Sequence, residues 1–181
     1  MVIREANTAD LKGLLEINLA AFGEEEGPEV AQMVKNLLND PSAEPLLSLV
    51  AEKDNQKLVG HILFTRARVE GNNGVNPSIL APLAVLPGYQ NQGIGGLLIR
   101  EGLRLLAERD TELVFVLGHP EYYPRHGFIP AGTEGFEAPY PIPAEVTGAW
   151  MVQELKPNLV GRVKGKVACP KTMDRPEYWS E

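Results

Sequence analysis

The stretch AVLPGYQNQGIGGLLIREGL, Ala84 to Leu103, places three glycines at the start of an apolar-periodic helix. A glycine inside a helix costs roughly 1 kcal/mol relative to alanine, so Gly93, Gly95 and Gly96 call for a physical explanation. Acidic side chains would complement the positive end of the helix dipole, yet the first acid after Gly93 is Glu101. The stretch therefore predicts a helix start that is kept free of side chains and of negative charge.

A helix start of this kind can bind an anion. It offers up to about four unpaired backbone N–H groups and about half a positive charge, and the missing Cβ atoms let ligand oxygens come close. These properties favour phosphate or diphosphate. The alternative is that Asn91 caps the helix and that the glycines permit close packing on a neighbouring strand. The stretch fits neither the Walker A sequence nor the dinucleotide-binding fingerprint.

Composition narrows the class of protein. The 181 residues, 44% hydrophobic and 23% charged, indicate one soluble globular domain. The net charge of −7 speaks against sequence-independent nucleic-acid binding. The sequence has no apolar run long enough for a membrane span, and its N-terminus does not have the pattern of a signal peptide. Because Cys169 is the one cysteine, no internal disulfide is possible, and a reducing cytoplasm is the expected location. The three histidines lack the spacing of metal ligands, so no metal site is predicted.

Hydrophobic periodicity predicts a mixed α/β domain over residues 1–169 and a C-terminal tail over residues 170–181. A first helix should end in the loop FGEEEGPE (22–29) and resume at Val30, and a second helix should run from the glycine stretch to about Arg109. Strands are expected at 2–6, 46–52, 58–70, 78–87, 112–118, 149–155 and 161–169.

Pro82 interrupts a strand that otherwise has the pattern of a central one. Because proline cannot donate a ladder hydrogen bond, Pro82 should lie at a bulge or in an unpaired stretch. If strands 80–86 and 112–118 separate there, a slot opens below the glycine turn. Unpaired backbone groups in that slot could bind a ligand that itself carries amides, and an amide-containing arm attached to a diphosphate describes coenzyme A.

Two motifs resemble one known family. QNQGIG (90–95) matches the Q/R-x-x-G-x-G/A signature of the GNAT superfamily of acyl-CoA-dependent N-acetyltransferases, and YYPRHGF (122–128) is similar to its Y-x-x-x-G-F motif about 30 residues downstream. The resemblance covers roughly residues 2–131, and the strands beyond resemble a bacterial predicted-acetyltransferase branch. It implies a mostly antiparallel mixed sheet of about six or seven strands, with the fourth and fifth parallel and splayed, flanked by about four helices.

The resemblance also implies the chemistry, which is transfer of an acetyl or other acyl group from acetyl-CoA to a primary amine by direct attack through a tetrahedral intermediate. A backbone N–H near Ala84 or Val85 would stabilise the oxyanion. Tyr123 would protonate the departing thiolate, with Tyr122 as the alternative in the adjacent register. The cofactor-binding residues that the resemblance implies are Leu83, Ala84, Val85, Gln90, Asn91, Gln92, Gly93, Ile94, Gly95, Gly96, Leu97 and Tyr123.

The general base and the acceptor stay open. Strand 78–87 carries no Glu, Asp or His, so the candidates are Glu24, Glu25 and Glu26 in the predicted loop, His119, or a chain of water molecules. The acceptor could be a small amine, an aminoglycoside, a polyamine, a peptide N-terminus or a lysine, and the resemblance is compatible with a homodimer.

Two other function classes fit the same features. A non-catalytic acyl-CoA-binding or sensor domain of the same fold would share the glycine turn and differ only in lacking turnover. An unrelated nucleotide-binding α/β domain would respond to ATP or NAD instead of acetyl-CoA.

Overall fold

A seven-stranded mixed sheet forms the centre of the protein, in a computed structural model that describes residues 1–180. The strands are β1 (Val2–Glu5), β2 (Leu47–Lys53), β3 (Lys57–Arg66), β4 (Arg68–Val69), β5 (Pro77–Val85), β6 (Leu113–Leu117), β7 (Ile129–Pro130), β8 (Phe136–Glu137), β9 (Trp150–Glu154) and β10 (Gly165–Ala168). The central sheet has the order β1-β2-β3-β5-β6-β9-β7, and β4, β10 and β8 form a second sheet. Within the central sheet only β5 and β6 pair in parallel, which confirms the predicted sheet type.

One α-helix covers each face of the central sheet. Because successive side chains of a strand point to opposite faces, Val50 of β2 lies in the core with helix α1 (Leu11–Leu38), whereas Leu49 lies in the core with helix α2 (Ile94–Glu108). The described residues thus contain two α-helices where about four were expected, and the other helical segments are short 3₁₀ turns.

Helix α1 bends sharply at Gly23, where φ is 81° and ψ is −177°. The predicted loop over residues 22–29 is therefore wrong, since the helix resumes directly after Gly23. Gly27 permits the bend, because a Cβ there would overlap the Leu19 carbonyl of the preceding half. The glutamates that follow Gly23 suit the start of a helix, since their charge complements its dipole. Glu24, Glu25 and Glu26 consequently lie on a helix.

The predicted C-terminal tail is also wrong for the residues that the structure describes. Beyond residue 169 the chain forms two 3₁₀ turns that pack on the domain. Trp179 is only 2% exposed, and the Asp40 carboxylate accepts hydrogen bonds from the N–H and the hydroxyl of Thr172 at 3.0 and 2.7 Å. Glu181, the last residue of that predicted tail, lies outside the described residues.

His61 on β3 is fully buried between α1 and the sheet. Its Nδ1 lies 3.0 Å from Nδ2 of Asn18, which also donates to the Leu14 carbonyl, and its Nε2 lies 2.9 Å from the Ser48 hydroxyl. Because an amide nitrogen only donates, Nδ1 is the acceptor and the proton resides on Nε2. Burial lowers the pKa of His61 from 6.5 to about 3, so the ring is neutral in the folded protein.

This buried ring should make stability depend on pH. Between pH 6.5 and about 3 the unfolded chain binds a proton at His61 and the folded chain does not, so the free energy of unfolding falls as the pH falls. From pH 7 to 5 the wild type should lose about 2 kcal/mol more than His61→Gln. Urea titrations of both proteins at the two pH values measure the difference, and equal losses would contradict a neutral buried imidazole.

Candidate active site

The pairing of β5 and β6 stops halfway along β5. The parallel ladder runs from Pro77 opposite Leu113 to Leu80 opposite Val116, and no pair follows within the described residues. At this point β5 bulges against β3, because its partners shift from Phe64↔Leu80 to Ile62↔Leu83, which places one additional residue on β5. The extra length contains Pro82, so the predicted bulge and the splayed strands are confirmed.

The bulge leaves backbone groups of β5 directed into the gap. Beyond it, Leu86 donates its N–H to the Val59 carbonyl on β3. Because hydrogen-bonded and non-bonded pairs alternate in an antiparallel ladder, the N–H groups of Leu83 and Val85 point away from β3 and toward β6. The N–H of Ala84 points to β3, so of the two predicted oxyanion donors only Val85 faces the gap.

The glycine turn lies next to this gap and opens helix α2. Asn91 and Gly93 have positive φ values of 62° and 83°, and Gly93 precedes the first helical residue without any side-chain cap. Within residues 1–180 the N–H groups of positions 91–96 have no acceptor, whereas the Leu97 N–H bonds to the Gly93 carbonyl at 3.1 Å. The alternative of an Asn91 cap is therefore wrong, and Leu97 has no free N–H to offer.

Close packing accounts for part of the glycine pattern. A Cβ at Gly95 would overlap the hydroxyl of Tyr122, and a Cβ at Gly96 would lie 3.1 Å from the His126 ring and 3.2 Å from the Arg100 guanidinium. Gly95 and Gly96 thus make room for the side chains of Tyr122 and His126 rather than for a neighbouring strand. Their N–H groups remain unpaired all the same.

Positive charge gathers at this turn although the protein as a whole is acidic. Arg100 and Arg125 lie close enough to His126 that, after burial, their charges lower its pKa further. Within the described chain neither arginine forms an ion pair. Gln90 plays a different part, since its side-chain amide donates to the Val85 carbonyl at 3.0 Å and ties the turn to β5.

Tyr123 lies at the other side of the gap, in a 3₁₀ turn that ends at Gly127 with a φ of 94°. Its ring packs edge-on against Phe128 with 5.6 Å between ring centroids, and a Cβ at Gly118 would overlap it. The side chain is 7% exposed, and burial raises the pKa of its hydroxyl above the ordinary value. Within residues 1–180 this hydroxyl has no hydrogen-bond partner, and Tyr123 lines a cavity at the end of the gap.

The gap opens into a cavity of about 630 Å³. It is bounded by the bulged half of β5, by the end of β6 and the segment that follows it as far as Tyr123, by α1 from Phe22 onward, by Val146 and Ala149, and by the C-terminal segment. Leu83, His119 and Tyr123 contribute to the lining, whereas Tyr122 does not. The two adjacent tyrosines therefore have different surroundings, because Tyr122 contacts the glycine turn and Tyr123 borders the cavity.

The candidate bases separate in the same way. Glu24, Glu25 and Glu26 are all exposed, but of the three only Glu26 lines the cavity, as does His119. Sequence reasoning missed Glu29 and Glu177, which also line the cavity. Glu29 follows Glu26 by three positions and would have been found had the helix been extended back to Gly23. Glu177 is distant in sequence from the other residues that line the cavity, and no sequence pattern indicated that it would lie there.

Two negative findings concern the described part of the chain. Residues 1–180 contain no group of three or more His, Cys, Asp or Glu side chains placed to hold a metal ion. None of the helices found there combines the length and the apolar character needed to span a bilayer.

Known proteins share this fold and sequence. A family model described as an acetyltransferase (GNAT) domain matches residues 45–130. The uncharacterized N-acetyltransferase YjhQ of Escherichia coli K12 is 50% identical over 149 residues, which cover 81% of this chain and 80% of YjhQ. The uncharacterized N-acetyltransferase YhbS of the same strain is 30% identical over 167 residues, which cover 92% and 95% of the two chains.

Solved structures agree with the sequence relatives. The crystal structure of E. coli YhbS in complex with CoA has a TM-score of 0.82 at 29% identity and covers 96% of this chain and 92% of YhbS. A GNAT family acetyltransferase from Brucella melitensis, crystallised with acetyl-CoA, has a TM-score of 0.73 at 29% identity and covers 96% and 97% of the two chains. The protein described here belongs to the GNAT superfamily of N-acetyltransferases.

Proposed function

We propose that the protein transfers an acetyl group from acetyl-CoA to a primary amine. One observation carries the proposal: the unpaired N–H groups of the glycine turn adjoin a gap between β5 and β6 that opens into the cavity bordered by Tyr123. A ligand with an anionic centre, an amide-bearing arm and a reactive end matches this arrangement. The relatives that were crystallised with CoA and acetyl-CoA support the same cosubstrate.

The diphosphate of the cosubstrate would bind the N–H groups of positions 91–96, where Arg100 and Arg125 add positive charge. The pantetheine arm would lie in the gap, where the N–H groups of Leu83 and Val85 can bond to its amides. This arm would act as a partial substitute for the missing length of the ladder between β5 and β6. The thioester would then reach the cavity at Tyr123.

The reaction is a direct displacement at the thioester carbonyl. The nitrogen of the neutral amine attacks the carbonyl carbon, and the oxygen gains charge that the N–H of Val85 can stabilise. Collapse of the tetrahedral intermediate breaks the C–S bond, and the electron pair leaves with the sulfur. The amine proton passes to Glu26, to His119 or through water to the solvent, and the products are an N-substituted amide and free CoA.

Tyr123 is the donor that the departing sulfur would meet. Burial keeps its phenol protonated through the physiological pH range, so its O–H can donate a hydrogen bond to the thiolate. A free thiol has a pKa of about 8.5 and a tyrosine hydroxyl one of about 10, so complete proton transfer from a tyrosine to a thiolate is uphill in water. Burial raises the pKa of the thiol and of the phenol alike, so Tyr123 stabilises the departing thiolate by donating a hydrogen bond while the proton passes to the sulfur.

The function can be tested by binding and by turnover. At one hundred times its dissociation constant, acetyl-CoA should stabilise the fold by about 2.7 kcal/mol, a rise of roughly 5–10 °C in melting temperature for a chain of this size. ATP and NAD at the same concentration should produce a smaller rise. Release of CoA thiol in the presence of a panel of primary amines should then be detected.

The outcomes distinguish the alternatives. Stabilisation by acetyl-CoA without thiol release from any amine would identify a non-catalytic acyl-CoA-binding domain. No stabilisation by acetyl-CoA would contradict the cosubstrate itself.

The role of Tyr123 predicts a specific kinetic defect. Tyr123→Phe should lower kcat by about 100-fold, because it removes the donor to the leaving group, and should leave the affinity for CoA nearly unchanged, since the ring remains. Rapid-quench or thiol-release kinetics and calorimetry measure the two quantities. Tyr122→Phe is the matched control and should change kcat only a few-fold; a larger loss in Tyr122→Phe than in Tyr123→Phe would assign the proton to Tyr122.

A further inference from the structure

The cavity beyond the gap carries a concentrated negative charge. Glu26 and Glu29 reach it from one face of α1, and Glu177 reaches it from the C-terminal segment. No lysine or arginine lines the cavity, and within residues 1–180 none of the three carboxylates forms an ion pair. All three glutamates are exposed to solvent, and they border the same concave space.

The same space contains an unsatisfied polar group. Tyr123 is more than nine-tenths buried and has no hydrogen-bond partner among the described residues, yet it lines this cavity. Its hydroxyl is accessible from this cavity, so a ligand or water there can supply its hydrogen-bond partner. The carboxylates therefore border the space into which the proposed reaction centre opens.

Apart from His119 and the tyrosine hydroxyls, the remaining side chains that line the cavity are apolar. Phe22, Val30 and Met33 line the cavity from α1, and Met173, Tyr178 and Trp179 line it from the C-terminal segment. A ligand with many hydroxyl groups would leave them without partners against these walls, which costs free energy. An apolar or aromatic body would bury its surface there at no such cost.

We propose that the acceptor is a primary amine whose ammonium group is attached to an apolar or aromatic body and which has no carboxylate beside the amine. The proposal rests on the acetyl-transfer function above. Amines of this class are cations at neutral pH, so the carboxylates attract them before the proton is lost. Free amino acids bring a second, negative group into the same field and are repelled. Polyhydroxylated polycations such as aminoglycosides would be attracted by the carboxylates, but their hydroxyl groups would find no hydrogen-bond partners on the apolar side chains.

Matched pairs of amines test this preference with the full-length protein and acetyl-CoA. We expect kcat/KM to be at least about tenfold higher for phenethylamine than for phenylalanine, and for tryptamine than for tryptophan. Spermidine and kanamycin should fall below both aromatic amines. Equal rates within the pairs, or the highest rate with kanamycin or spermidine, would overturn the proposal.

A binding measurement separates this proposal from the function on which it rests. Calorimetric titration of the CoA-saturated protein with the same amines should give the same order of affinities even if no thiol is released. Absence of turnover together with this order would contradict the enzyme function alone. Absence of any difference within the pairs would contradict the acceptor class, whether or not turnover occurs.

Variants that neutralise single glutamates test which carboxylates attract the amine. Glu29→Gln and Glu177→Gln should each raise the KM for phenethylamine about three- to fivefold and leave kcat largely unchanged, and high salt should weaken wild-type binding more than variant binding. Glu137→Gln, at an exposed glutamate of β8 that does not line the cavity, should leave KM unchanged. Unchanged KM in both cavity variants would show that these carboxylates do not face the acceptor and would overturn the proposal.

Discussion

The early end of the parallel ladder between β5 and β6 is the constraint on which the whole site depends. Beyond Leu80 and Val116 the two central strands no longer pair, so a buried sheet exposes backbone groups that would be costly to leave without partners. The bulge at Pro82 keeps β5 joined to β3 while it turns away from β6. A ligand that carries its own amides can occupy the opening, and the glycine turn stands at its entrance with unpaired N–H groups.

The two ends of this opening differ in charge and in the segments of the chain that form them. The turn adjoins Arg100 and Arg125, and the cavity at the other end is bordered by glutamates without cationic partners. The ladder gap, the turn and Tyr123 all lie inside residues 45–130, which match the family model. About half of the residues that line the cavity also lie inside that range, and most of the others come from α1 and from the C-terminal segment. The cosubstrate half thus lies within the range of the family model, whereas the acceptor half combines that range with α1 and the C-terminal segment.

Local chemistry made the cosubstrate half predictable from sequence. Glycines before a helix and a proline inside a strand each restrict the backbone within a few residues, and the open helix start and the separated strands could be predicted from them. The sheet type and the role of Tyr123 were implied by the resemblance to the GNAT family. The acceptor half depends on distant contacts instead. Burial of Trp179 and the hydrogen bonds from Thr172 to Asp40 turn a polar C-terminus into a cavity wall. The close approach of Gly27 to Leu19 similarly replaces a predicted loop by a bent helix, and no short-range pattern encodes either contact.

Amide NMR spectra recorded during titration with CoA and, separately, with pantetheine, which lacks the diphosphate, test the central claim most directly. With CoA, the amide signals of positions 91–96 and those of Leu83 and Val85 should all shift. With pantetheine, the signals of Leu83 and Val85 should shift and those of the turn should stay in place. Identical shifts of the turn with both ligands, or none with CoA, would contradict the assignment of these N–H groups to the diphosphate.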